Sequence, residues 1–162
     1  MSVVRSSGVT VLLLLAAVTA VVAGPLEGRW HLVHESYGKG KGNLAGEHRP
    51  VDLEFKRVGG ELAGAMRTDE VRPFVSWPFA PADRSADAIR VVERTVDPEE
   101  DRVRVRYVVE PRPGDDLALD IVEDYRVVEE GRALVGRVTV AFVDDGEPRG
   151  SYELQRRFER VP

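Results

Sequence analysis

"RVRVRYVVE", residues 102–110, is the clearest alternation in the chain: Val103, Val105, Tyr107 and Val109 fall on one side, Arg102, Arg104 and Arg106 on the other. Successive side chains point to opposite faces only in extended chain, so this stretch predicts a strand with one apolar and one charged face. The sequence that follows repeats the pattern. "PRPGDD" leads to a strand over 117–128, Glu130-Gly131 turns it into one over 133–143, and "DDGEPRG" leads to a last strand over 151–160. Opposite charges across neighbouring strands select the register. With Tyr107 opposite Leu119, Val105 faces Ile121, Arg106 faces Asp120 and Arg102 faces Asp124. The next hairpin sets Val127 against Leu134, Ile121 against Val140, Leu119 against Phe142 and Asp124 against Arg137. The last sets Phe142 against Tyr152 and Val140 against Leu154.

Toward the N-terminus the same reading yields strands at 28–37, 51–55, 61–68 and 88–96, with Gly59-Gly60 as the turn between the second and third. The two faces of 88–96 are nearly equally apolar, and one register sets Arg94 against Arg104, so its pairing stays open. Helical periodicity is almost absent after residue 25. A meander of this kind has two exposed edges, and closure removes them. The predicted fold is therefore all-β, an eight-stranded antiparallel up-and-down β-barrel, whose interior holds side chains or one small ligand. Two connections stand out. Residues 38–49 are Gly-rich, and the long stretch 69–87 carries three Pro with Phe74, Trp77 and Phe79. Long loops are often functional, so 69–87 is a candidate lid or partner-docking patch, or a loop that buries its aromatics on the barrel wall.

Residues 1–23 read as a signal peptide: Arg5 is the one charge, Val9 to Val22 is apolar or small, and "VVA" at 21–23 suits a cut after Ala23. The run is short for a membrane span, so the expected location is secreted or periplasmic, with membrane attachment only if the segment is uncleaved. The remaining domain, 24–162, has about 139 residues, enough for one hydrophobic core. Without Arg5 the chain keeps 22 basic against 28 acidic residues, finely mixed. That balance speaks against nucleic acid as a partner and against a polybasic membrane patch. There is no Cys, hence no disulfide framework. A monomer is expected.

"GRW" at 28–30, opening the first strand of such a meander, together with an Arg on the last strand, resembles the calycin superfamily, and within it a divergent bacterial lipocalin-like domain. The resemblance implies structural roles for Gly28, which begins the strand, and Trp30, which plugs the closed end of the barrel under an Arg of the final strand. Tyr152, Leu154, Arg156 and Phe158 alternate inward, so Arg156 is the expected partner of Trp30. The chain lacks the lipocalin disulfide.

Candidate chemistry is sparse. His31 and His34 are three apart, which separates them across a strand and breaks a chelate, and His48 lies in the Gly-rich loop. His34 alone, facing inward, suits a hydrogen-bonded lumen histidine better than a haem ligand. Asp144-Asp145-Gly146-Glu147 lacks spaced calcium ligands and reads as a hairpin turn. Glu123 is the odd residue on an apolar face, and an ion pair with Arg156 across the barrel floor would account for it. Gly64 and Gly136 on inward faces hint at open volume. There is no G-x-S-x-G, Walker loop, G-x-G-x-x-G or H-E-x-x-H. No cofactor or metal is expected. The first expectation is an exported barrel that binds a small apolar or amphipathic ligand. Its lumen would be lined by Leu32, Leu53, Phe55, Met66, Tyr107, Ile121, Val140 and Phe142, with His34, Glu123, Tyr152 and Arg156 as polar contacts. The alternative is a filled barrel acting as an interaction or inhibitor module through its loops. An enzyme using His34 and Glu123 is the third.

Overall fold

The computed structural model describes residues 24–39, 50–68, 74–78, 88–97, 99–111, 113–114 and 116–162. The predicted signal peptide, His48 and Phe79 lie outside these residues. The described chain is all-β: β1 (Gly28–Lys39), β2 (Asp52–Val58), β3 (Glu61–Arg67), β4 (Val75–Trp77), β5 (Ile89–Val96), β6 (Arg102–Val109), β7 (Leu117–Val128), β8 (Ala133–Asp144) and β9 (Glu147–Arg160). All pair antiparallel in one curled sheet of order β4-β3-β2-β1-β9-β8-β7-β6-β5. Among the described residues no helix is long and apolar enough to cross a membrane.

Two features correct the expected barrel. The described residues form nine strands rather than eight, because Val75–Trp77 pairs with Gly64–Met66 inside the stretch read as loop. And the barrel is open: its edge strands, β4 and β5, share no ladder. The edges explain why. β4 is three residues long and is followed by Pro78, which has no N–H to continue a ladder. β5 packs only its ends, Ile89 and Val96, against the core and leaves Val91 and Val92 exposed on successive positions between them. Its side chains partly bridge the gap, since Arg94 donates Nη2–H to the Leu62 carbonyl of β3. The register that the sequence left open for this strand places Thr95, not Arg94, opposite Arg104.

The β7–β8 register is as expected, including Ile121–Val140 and Asp124–Arg137. The two flanking hairpins are each displaced by two residues. Tyr107 faces Ile121 rather than Leu119, and Val140 faces Tyr152 rather than Leu154, the latter beside a bulge at Phe142–Val143. A displacement of two keeps every side chain on its expected face. The charge pairs used to choose the β6–β7 register also form, but diagonally: Arg102 holds Asp124 at 2.8 and 2.5 Å and Arg106 holds Asp120 at 3.0 and 2.6 Å. Diagonal neighbours are within reach of an Arg side chain, so the pairs do not discriminate between the two registers.

The core fills the end of the sheet where β1 begins. Trp30, Phe158, Leu134, Leu26 and Val103 are fully buried there. Trp30 donates Nε1–H to the Leu26 carbonyl at 2.9 Å. The Arg160 guanidinium lies 4.2 Å from the Trp30 ring centroid. The arginine over Trp30 is thus Arg160, not the expected Arg156: four residues separate them along a strand, so both face inward but at different depths. Gly28 has φ +127°, and a Cβ there would come within 2.8 Å of Arg160 Nη1. Both the backbone conformation and the Trp30–Arg160 stack require glycine.

Candidate functional site

Three inward rows cross the sheet one above another. Val103, Tyr125, Gly136, Arg156 and Glu35 form the first, Val105, Glu123, Val138, Leu154 and Tyr37 the second, and Tyr107, Ile121, Val140 and Tyr152 the third. This stacking gathers the polar groups of the interior around Glu123, which is 3% exposed. Tyr107 donates its hydroxyl to Oε1 at 2.5 Å. Tyr125 donates to Oε2 at 2.7 Å, and Trp77 of β4 donates Nε1–H to the same oxygen at 3.0 Å. Arg156 Nη1 lies 3.9 Å from Oε2. The expected Glu123–Arg156 pair is therefore present, though looser than the contact Arg156 makes through Nε with Glu35, at 2.8 Å. Arg156 also donates Nη1–H to the Tyr125 hydroxyl at 3.2 Å. Burial pushes the Arg156 guanidinium toward losing its proton, but Tyr125, Glu123 and Glu35 outweigh it and hold the charge firmly. Burial raises the Tyr107 and Tyr125 hydroxyls well above the ordinary tyrosine range, and the Glu123 charge raises them further, so both remain donors.

Glu35 and Trp77 are the members that sequence reasoning missed. Strict alternation from Trp30 places Glu35 outward and His34 inward. A bulge between Leu32 and His34 reverses both. His34 is exposed on the outer face opposite Arg157, which corrects its expected place in the lumen. No local signal marks that bulge. Trp77 had a signal in the aromatic content of 69–87, but nothing local set its direction.

The expected volume at Gly64 and Gly136 is occupied. A Cβ on Gly64 would stand 2.6 Å from the Trp77 ring, and one on Gly136 would stand 2.3 Å from the Tyr125 ring. The glycines are there so that these rings can lie flat against the sheet. Phe55, Trp77, Tyr125 and Phe158 then run edge-to-face through the interior, with centroids 5.7–5.8 Å apart. Phe55, Met66, Leu53, Ile121 and Val140 pack into the same core, while Leu32 and Phe142 are only partly buried.

Above the Glu123 layer the packing changes. Tyr152 is 2% exposed, and its hydroxyl finds no hydrogen-bond partner among the described residues. Burial raises its pKa, and the nearby Tyr37 and Glu35 add to the shift. Its ring touches those of Phe142 and Tyr37, at 5.9 and 6.4 Å between centroids, and Tyr37 is 45% exposed. Of the polar contacts expected from sequence, Glu123, Tyr152 and Arg156 converge inside the sheet and His34 does not. Among the described residues no three His, Cys, Asp or Glu side chains converge on a metal position.

A second polar hub lies on the outer face of β1–β3. Asp52, fully buried, accepts from Arg29 Nη2 at 2.8 Å and from Arg67 Nε at 2.7 Å, and pairs with His31 Nδ1 at 3.0 Å. Phe74 sits between the two guanidinia, 5.5 and 5.4 Å from its centroid. Burial would raise the Asp52 carboxyl, but its hydrogen bonds to Arg29, Arg67 and His31 hold it below its ordinary value of 3.8.

Comparison of the chain with family models, with curated proteins and with solved structures finds no match in any of the three. What defines the molecule is thus its own geometry: a curled, open antiparallel sheet with an arginine-capped tryptophan at one end and a buried carboxylate cluster at mid-height.

Proposed function

We propose that this chain is an exported, lipocalin-like barrel that binds a small amphipathic molecule above the Glu123 layer. The observation that carries the proposal is the Tyr152 hydroxyl, a buried hydrogen-bonding group without a partner among the described residues. A buried hydroxyl in that state costs on the order of 1–3 kcal/mol, and a bound polar group would relieve it. Around it, Tyr37 and Phe142 offer apolar surface that is only partly covered. Glu123 and Arg156 serve as the floor rather than as the headgroup anchor, because Tyr107, Tyr125, Trp77 and Glu35 already engage them. Support for a lipocalin-like assignment comes from Gly28-x-Trp30 with Arg160 over the indole. Export is supported by the apolar run Val9–Val22 ahead of "VVA".

The test is native mass spectrometry on protein exported from its own leader and purified without detergent. An extra mass that is lost on denaturation, and that falls in Tyr152→Phe, supports the proposal. A bare chain mass, with no uptake from a panel of hydrophobic probes, removes it. The filled-barrel reading, an interaction module working through residues 69–87, then takes its place. That reading is favoured by one observation of its own, the occupation of the space at Gly64 and Gly136 by Trp77 and Tyr125. The same spectrum tests cleavage after Ala23.

A further inference from the structure

The outer face of the sheet carries a groove of about 540 Å³ across β6, β7, β8, β9 and β1, on the opposite side from the Glu123 layer. Two outward rows build it. In the first, Arg102, Arg126, Val135, Arg157 and His34 stand side by side on successive strands; in the second, Arg104, Asp124, Arg137, Gln155 and Ser36 do. Five arginines line this groove, Arg102, Arg126, Arg137 and Arg157 from the outward rows and Arg156, whose guanidinium is engaged inside the sheet, and Asp124 is the one lining carboxylate, in a chain whose net charge is −5. Arginines thus outnumber carboxylates in the lining itself, while each outward arginine of the lining has a carboxylate within 4 Å. Arg102 and Arg126 are directly opposed across β6 and β7, an arrangement that costs stability unless something anionic lies between such groups.

The arginines are not equally engaged. Arg102 is held by both oxygens of Asp124, and Arg157 by both oxygens of Glu129 at 2.7 and 2.8 Å. Arg126 and Arg137 are different. Their closest carboxylates, Asp101 and Glu153, stand at 3.6 and 3.5 Å, and their side chains are 64% and 67% exposed. Exposed pairs at that separation contribute little and are readily given up. Arg126 and Arg137 are diagonal neighbours flanking Val135, a spacing that long side chains close easily. Each has a planar donor fork suited to two oxygens of one tetrahedral anion. His34 and Gln155 add donors at the β9–β1 side. No Phe, Tyr or Trp lines the groove.

We propose that this groove is an anion site for a phosphate or sulfate group, with Arg126 and Arg137 as its principal ligands and Val135 as its floor. Its principal ligands take no part in the Glu123 cluster or in the contacts of the ligand proposed there. Two sources carry this chemistry, a soluble phosphorylated or sulfated molecule and a lipid headgroup.

The experiment is a titration of the protein, expressed from the full-length sequence, with inorganic phosphate and sulfate, followed through the Arg side-chain Nε–H resonances. Saturable shifts confined to arginines of the groove are expected. Binding should weaken at least about tenfold in R126A/R137A, and less in R126K/R137K, which keeps the charge but not the fork. Arg90→Ala, on β5 away from the groove, should leave it unchanged. Non-saturating shifts, or equal binding by wild type and R126A/R137A with matching circular dichroism, would overturn the proposal. Flotation with phosphatidylglycerol-containing and pure phosphatidylcholine vesicles separates the sources. Co-flotation with the anionic vesicles alone, lost in R126A/R137A, assigns a lipid headgroup. Phosphate binding without flotation assigns a soluble ligand.

Discussion

Glu123 and Asp52 are both carboxylates removed from solvent, yet the two are satisfied in different ways. Inside the sheet, Glu123 is surrounded by neutral donors: two tyrosine hydroxyls and an indole N–H, with the Arg156 guanidinium at 3.9 Å. On the outer face, Asp52 is met by two guanidinia, those of Arg29 and Arg67, and by the His31 ring nitrogen. The difference follows from what can be desolvated. A guanidinium at the surface keeps part of its hydration, so charge can be met with charge; in the interior each added ion costs several kcal/mol, and dipoles are the cheaper solvation. The interior cluster is consequently rigid and tightly coupled to packing, because its donors are also the largest core side chains. The outer hub ties three strands and Phe74 together but rests on groups that remain partly wet.

The strongest way to break this contrast is Glu123→Leu. It leaves Arg156 with the Glu35 carboxylate and the Tyr125 hydroxyl, and leaves Tyr107, Tyr125 and Trp77 without their acceptor. The expected loss is about 3–5 kcal/mol in urea unfolding; a loss below about 1 kcal/mol would mean that the cluster is not packed as described. Asp52→Asn should cost less, about 1–3 kcal/mol near neutral pH, since its partners retain some water. It should also show a pH signature. The folded Asp52 carboxyl titrates below its unfolded value of 3.8, so its contribution is complete above that value and disappears as pH falls through the folded pKa. Stability curves of wild type and Asp52→Asn should therefore converge below about pH 3.8; a gap that persists in acid would assign the loss to shape rather than charge.

Gly136→Ala sharpens the interior side. The added methyl meets the Tyr125 ring at 2.3 Å, so the ring must move and drag its hydrogen bonds to Glu123 and Arg156 with it. Overpacking of this kind costs about 1–3 kcal/mol. An unchanged midpoint would mean that the glycine borders open space after all. The smallest expected effect has the opposite sign. Tyr152→Phe removes a hydroxyl that has no hydrogen-bond partner among the described residues, and in ligand-free protein it should raise stability by up to about 1 kcal/mol. Destabilisation in differential scanning calorimetry would show that the hydroxyl has a partner in the free protein.

The parts legible in the sequence are those governed by period two. Every strand of the predicted meander exists, and the face assignments of β6, β7, β8 and β9 hold even where the register slipped by two. Glu123 and Arg156 stood out because each interrupts an apolar row, and a charge in such a row needs a partner. Glu35 and His34 were exchanged because one bulge residue between β1 and β9 inverts the alternation beyond it. Arg160 was overlooked in favour of Arg156 because alternation gives the face of a side chain but not its depth along the barrel. Gly64 and Gly136 were read as vacancies because a glycine shows that a side chain is missing, not what another element brings to the space.

By itself, then, the sequence determined an all-β meander, its apolar and charged faces, the strand-opening Gly28–Trp30 pair and the two charged residues at its heart. These depend on neighbours a few residues apart, where strand geometry leaves only two directions for a side chain. The tertiary structure alone decided that the barrel stays open, that β4 carries Trp77 across to Glu123, that Arg160 caps Trp30, and that four outward arginines share one groove. Those outcomes depend on curl, bulges and depth summed over many strands, quantities to which no single stretch of the chain is sensitive.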